Sequence, residues 1–133
     1  MELYTFNRQN AYNVYSKHEC KIRVKPNGQI AFSKGFSNVL QLKTGDGILF
    51  HQDKKNTIDW YIEKTKDESG IRINQATNKV FGFSSRRIAS EILKSVNCEG
   101  MSTSFKVAKN PTEGKYYAII TKSAKTKLNK ELS

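Results

Sequence analysis

Lys21, Arg23 and Lys25 alternate with Ile22 and Val24, so an extended strand would send three cations to one face and two apolar side chains to the other. At two residues per repeat the cations stand ~6–7 Å apart, similar to the spacing of successive phosphates along a nucleic-acid strand. Contacts of that kind hold a backbone in place without reading bases. The same alternation also suits a strand with one solvated face. Lys34, just after Phe32-Ser33, adds a fourth cation close in sequence. Arg86 and Arg87 fall in the first turn of an expected helix, where cations oppose the helix dipole at a cost of ~0.3–1 kcal/mol. A phosphate bound there would meet free N–H groups and two guanidiniums, offsetting that cost; the alternative is that both arginines point into water. Tyr61 should face away from Trp60, and Tyr116 away from Tyr117. Tyr61 and Tyr116 are therefore candidates for stacking on unpaired bases, typically worth ~1–3 kcal/mol per base, or for covering a second core or a dimer seam.

Other chemistry finds little material. Cys20 and Cys98 lie far apart and read as two reduced thiols. His18-Glu19-Cys20 places two metal-ligand types together, but nothing nearby supplies the further ligands that zinc needs. No nucleophile elbow, zinc-protease helix or phosphate-cradling glycine loop is present. An enzyme would need an acid–base pair such as His51 with Asp53 or Asp59, and nothing in their spacing requires one. A non-catalytic protein without metal or cofactor is expected.

The elements that would position these residues follow from pattern. Pro26-Asn27-Gly28 is a turn between the alternating basic strand and Gln29-Ile30-Ala31-Phe32. Phe36, Val39, Leu40 and Leu42 suit a short helix at about 33–42, with Ser33 as cap. Gly45-Asp46-Gly47 turns the chain into Ile48-Leu49-Phe50-His51, and Ile58, Trp60 and Ile62 alternate in the next strand. Ile71-Arg72-Ile73-Asn74 is strand-like, and Val80-Phe81-Gly82-Phe83 is short and ambiguous. Ile88, Ala89, Ile92, Leu93 and Val96 form the apolar stripe of a longer helix at about 85–97, capped by Ser84 or Ser85 and stopped by Asn97 and Gly100. Ser104–Val107 and Tyr116–Ile120 flank a turn-rich segment and predict a C-terminal hairpin. The fold class is α+β with mostly antiparallel strands. Residues 1–122 are expected to form one compact domain, with an N-terminal aromatic arm at 1–17 and a basic flexible tail at 123–133.

Composition limits the partners. The 133 residues carry 23 basic and 12 acidic side chains, a net charge of +11 that draws polyanions. The first 66 residues hold 11 basic and 6 acidic, the remainder 12 and 6, so the surplus is not confined to a tail. No apolar run approaches the ~20 residues of a membrane span, and the N-terminus lacks the apolar stretch of a secretory signal. A cytoplasmic protein with no membrane partner is expected.

From Lys21 to Lys64 the order is a basic strand, Asn27-Gly28-Gln29-Ile30, Phe32-Ser33-Lys34, a helix ending in Leu40-Gln41-Leu42, Lys43-Thr44-Gly45-Asp46, and a strand pair. This order resembles the AbrB/MazE-type swapped-hairpin DNA-binding family. The resemblance implies two interlocked chains that present basic side chains to a duplex. Ser33 stands where the family usually has Pro, and Gln41 where it has Gly. The element order of the whole chain is also similar to PUR- and Whirly-type single-stranded nucleic-acid binders, at the level of topology alone. The expected function is nucleic-acid binding, DNA more than RNA, by a regulator-like homodimer that grips phosphates through Lys21, Arg23, Lys25 and Lys34, with Arg86 and Arg87 as a second region. The alternatives are a single-strand binder that uses a basic sheet with exposed aromatics, and an interaction module for an acidic protein.

Overall fold

The computed structural model describes residues 1–3, 5, 19–76 and 78–126. Among them the chain runs β1 (Lys21–Val24), β2 (Gln29–Phe32), α1 (Lys34–Leu40), β3 (Gly47–Gln52), β4 (Trp60–Thr65), β5 (Ile71–Arg72), β6 (Asn74–Gln75), β7 (Phe81–Ser84), α2 (Arg86–Ser95), β8 (Thr103–Val107) and β9 (Tyr117–Thr126). This is an α+β protein with antiparallel pairing throughout these strands.

The strands form one nine-stranded sheet in the order β5-β3-β4-β9-β8-β1-β2-β7-β6. Its two ends, β5 and β6, are consecutive in the chain and separated only by Ile73. The segment 71–75 therefore pairs with β3 through its first half and with β7 through its second, which closes the sheet on itself. Ile73 is fully buried at this seam. Its N–H donates to the Asp46 carbonyl at 2.9 Å, and its own carbonyl accepts from the Gly45 N–H at 2.8 Å. Both backbone polar groups of Ile73 are therefore paired at the point where the ladder changes partner.

Alternation along the strands decides what lies inside. Ile22 sits between Phe105 of β8 and Phe32 of β2, and Phe32 in turn opposes Phe81 of β7. Two residues along, Thr103, Val24, Ile30 and Phe83 form a second inward row. Ile22, Val24, Ile30, Phe32 and Phe105 are at most 1% exposed, and each such side chain stabilises the fold by ~1.5–3 kcal/mol through burial. Rings of Phe36, Phe83 and Phe50 meet this core edge-on, Phe32 and Phe36 at 5.6 Å.

The helices follow their expected limits closely. Ser33 caps α1 by accepting from the Phe36 N–H, and Ser85 caps α2 by accepting from the Ile88 N–H. α2 buries Ala89, Ile92 and Leu93, and Ser95 accepts a 2.9 Å bond from the Trp60 indole N–H, tying α2 to β4. α1 ends at Gln41, which adopts the left-handed conformation with φ 52°. Lys64 supports that end by donating to the carbonyls of Leu40 and Gln41 at 2.9 and 3.2 Å.

Three expectations need correction. Val39 stays exposed, because the helical period from Phe36 to Leu40 turns it outward. Ile58 is 47% exposed: it lies in the turn that closes the β3–β4 hairpin, and the alternating strand begins only at Trp60. Residues 123–126, assigned to a flexible tail, belong to β9, where Thr126 pairs with Thr103 and Lys125 with Ser104. A register shift between Ser104 and Lys106 is bridged by the Ser123 hydroxyl, which accepts from the Lys106 N–H at 2.7 Å. Most of the expected N-terminal arm, and residues 127–133, lie outside the described residues.

Candidate nucleic-acid interface

Between the two inward rows, the outward positions of the same strands line up as Ser104, Arg23, Ala31, Gly82 and Asn74 across β8, β1, β2, β7 and β6. The middle of this row is small, and it forms the floor of a groove of about 740 Å³. Gly82 is required there, since a Cβ would collide with the Ile30 carbonyl oxygen of the neighbouring strand. Lys21, Arg23 and Lys25 line the β1 side, with Lys34 at the start of α1. Asn74, Gln75 and Asn78 line the opposite side, and Gln29, Ser33, Ser84 and Ser104 complete the polar lining.

The structure thus brings together four of the six cations singled out in the sequence. The lining contains no Asp or Glu. Among the described residues, Lys21 pairs with Glu19 at 3.2 Å, whereas Arg23, Lys25 and Lys34 make no ion pair. Hydrogen bonds hold the hairpin that presents them. The Lys25 N–H donates to the Gln29 carbonyl at 2.9 Å, and the Asn27 side chain accepts from the Gln29 N–H at 3.0 Å. Gly28 adopts φ 103° in the turn. Ser33 fixes the other end: its hydroxyl accepts from the Lys21 and Phe36 N–H groups and donates to the Glu19 carbonyl at 2.8 Å. One side chain therefore sets the relative position of β1, α1 and their cations.

Arg86 and Arg87 are exposed at the start of α2 and do not line the groove. They adjoin its hairpin end. The Ser85 N–H donates to the Gly28 carbonyl at 2.8 Å, and Arg86 packs so closely on Gly28 that a Cβ there would lie 2.9 Å from its backbone nitrogen.

Tyr61 and Tyr116 occupy a different surface, on β4 and just before β9. Their rings meet edge-on at 6.3 Å, and Tyr116 also meets the His51 ring at 5.1 Å. Lys115 lies over Tyr116 at 5.0 Å, and that phenol, with Glu63, holds the Lys115 ammonium above its ordinary pKa. His51 takes Glu63 as its partner at 2.8 Å, not Asp53 or Asp59. The register explains the choice: His51 opposes Tyr61, so Glu63 is its diagonal neighbour on the same face. Asp53 instead accepts from the Lys55 and Asn56 N–H groups in its own turn.

His18 lies outside the described residues, and among the described ones no three His, Cys, Asp or Glu side chains converge to hold a metal ion. Burial pushes the Cys20 thiol above its ordinary pKa, with Lys109 opposing. The amides on the far side of the groove escaped the sequence reading. Their only signal was the run Asn74-Gln75 after the alternating Ile71 and Ile73, together with small residues at Ala31 and Gly82.

Comparison with protein-family models, curated proteins and solved structures finds no match to this chain. Among the described residues no helix is long and apolar enough to cross a membrane.

Proposed function

We propose that this protein is a non-catalytic nucleic-acid-binding protein that grips phosphates in the groove over β1, β2, β7 and β6. The observation that carries this reading is the lining itself, four cations and no carboxylate. Like charges held this close on rigid backbone repel one another, and an anionic chain laid along them removes that repulsion while releasing its own counterions. Arg23 supplies a planar donor fork suited to phosphate, and Lys25 and Lys34 supply point charges. Arg86 and Arg87 extend the positive surface beyond the hairpin end.

The unit proposed here is a single chain. The interlocked dimer implied by the swapped-hairpin resemblance would pair strands between copies, yet β1, β2, β3 and β4 each have partners on both edges within one chain. The test is fluorescence anisotropy at about 150 mM salt with three probes: duplex DNA, single-stranded DNA and an acidic peptide of matched charge. Tight, salt-sensitive binding of a nucleic-acid probe over the peptide is the expected result. Equal binding of all three would replace this reading with that of a basic module for an acidic protein.

A further inference from the structure

We infer that the groove holds a single strand, its phosphates along the β1 wall and its base edges against the amides of the β6 wall. The inference rests on the nucleic-acid reading above and goes further in naming the strand state and the polarity of the site.

The two walls differ in chemistry. The β1 side carries Lys21, Arg23 and Lys25, whereas the lining residues of β6 and the turn after it are Asn74, Gln75, Ala76 and Asn78, none of them charged. β1 and β6 are separated by β2 and β7, so the walls stand three strand spacings apart, roughly 14 Å. A strand with its backbone on one wall thus has its bases over the small floor of Ala31 and Gly82 and facing the amides.

Those amides have hydrogen-bonding capacity to spare. The Asn74 side chain makes no hydrogen bond among the described residues. Gln75 uses its NH₂ on the Lys79 carbonyl and keeps its oxygen. Asn78 uses its oxygen on the Val80 N–H and keeps its NH₂. Carboxamides present donor and acceptor together, the pattern that matches exposed base edges.

A duplex does not fit this arrangement. Its base edges lie inside grooves that must be entered by a protruding helix or ribbon, and here the amides line a groove instead. A duplex resting on the groove would also set phosphates against the uncharged wall. Stacking is not the means of recognition in this groove: no Tyr or Trp lines it, Phe32 and Phe83 of its lining are turned into the core, and Phe81, partly buried, packs against that core in the same inward row as Phe32.

The experiment compares five probes on the full chain at one salt concentration: single-stranded DNA, single-stranded RNA, duplex DNA and an abasic sugar–phosphate chain, all of equal length, and a charge-matched acidic peptide. One or both base-bearing single strands should bind about tenfold tighter than the duplex and the abasic chain, the discrimination of one good base contact. Replacing exposed amides of that wall, Asn74→Ala with Gln75→Ala, should lower single-strand affinity about five- to tenfold. The same change should leave abasic binding and the salt slope unaltered, which also reports that the variant is folded. Equal affinity for single strand and abasic chain, equal or tighter binding of duplex, or an amide variant that binds like the parent would overturn the inference while the phosphate-grip reading stands. Failure of every nucleic-acid probe to bind more tightly than a charge-matched acidic peptide would remove both.

Discussion

The phosphate grip makes a quantitative demand on salt dependence. Each phosphate neutralised on a single strand contributes a slope of about −0.7 in log K against log salt. Arg23, Lys25 and Lys34 have no ion-pair partner among the described residues, so together they contribute about −2.1. Lys21 counts for less, because a phosphate must displace Glu19 from it at 3.2 Å. Between about 50 and 200 mM salt the three cations alone should cost roughly 20-fold in affinity. Changing Arg23, Lys25 and Lys34 together to Gln should flatten the slope by about 2, leaving it nearly level if Arg86 and Arg87 make no contact. All three side chains contact solvent and none has an ion-pair partner among the described residues, so the triple variant should melt like the parent. The assay is anisotropy with labelled single-stranded DNA at five salt concentrations, parent and variant side by side. A parent slope that survives intact in the triple variant would refute the assignment of the groove as the phosphate site.

Other consequences concern the supports of the site. Gln41→Gly should raise stability by about 0.5–1 kcal/mol in urea denaturation, since the residue sits at φ 52° where glycine avoids a steric cost. Ser33→Ala should lower stability by about 2 kcal/mol in the same assay, the upper end for a lost cap, because the hydroxyl also joins β1 to α1. Backbone N–H groups of Asn56 and Lys55 hold the Asp53 carboxyl below its ordinary pKa. Its contribution is therefore present above the ordinary carboxylate range and is lost as pH falls through the folded value. Asp53→Asn, which keeps an acceptor, should shrink the fall in melting temperature between neutral and strongly acidic pH; an unchanged fall would show that the turn adds nothing to acid sensitivity.

Local structure was legible in the chain wherever one residue type has one physical use. Ser33 and Ser85 cap helices, Gly28 and Gly45 make turns at positive φ, and Ile22 with Val24 mark a buried face. The clustering of Lys21, Arg23, Lys25 and Lys34 was legible for the same reason, since short spacing on a strand and its hairpin survives any tertiary arrangement. What could not be read was long-range register. Nothing near Arg23 announces that Ser104 lies on one side and Asn74 across two further strands on the other. The His51 partner was missed for this reason too: Glu63 becomes its neighbour only once β3 and β4 are aligned. The end of β9 was misread because lysine-rich composition suggests a tail, whereas its pairing with β8 extends the strand through Thr126.

Closing the sheet through residues 71–75 also sets the order in which the molecule can be assembled. The hairpin of β1 and β2 can form as soon as it leaves the ribosome, but the outer edge of β1 waits for β8, near the end of the described chain. Pairings so distant in sequence slow the search for the native state, because loop entropy is lost before contacts reward it. The groove is built from β1, β2, β7 and β6, and its lining includes Ser104 of β8. An unfinished chain can therefore carry the basic hairpin without offering the finished groove. Occupancy of the groove in turn favours the completed chain over partly assembled ones by mass action, so ligand should accelerate no early step yet protect the closed sheet from exchange and proteolysis as a whole.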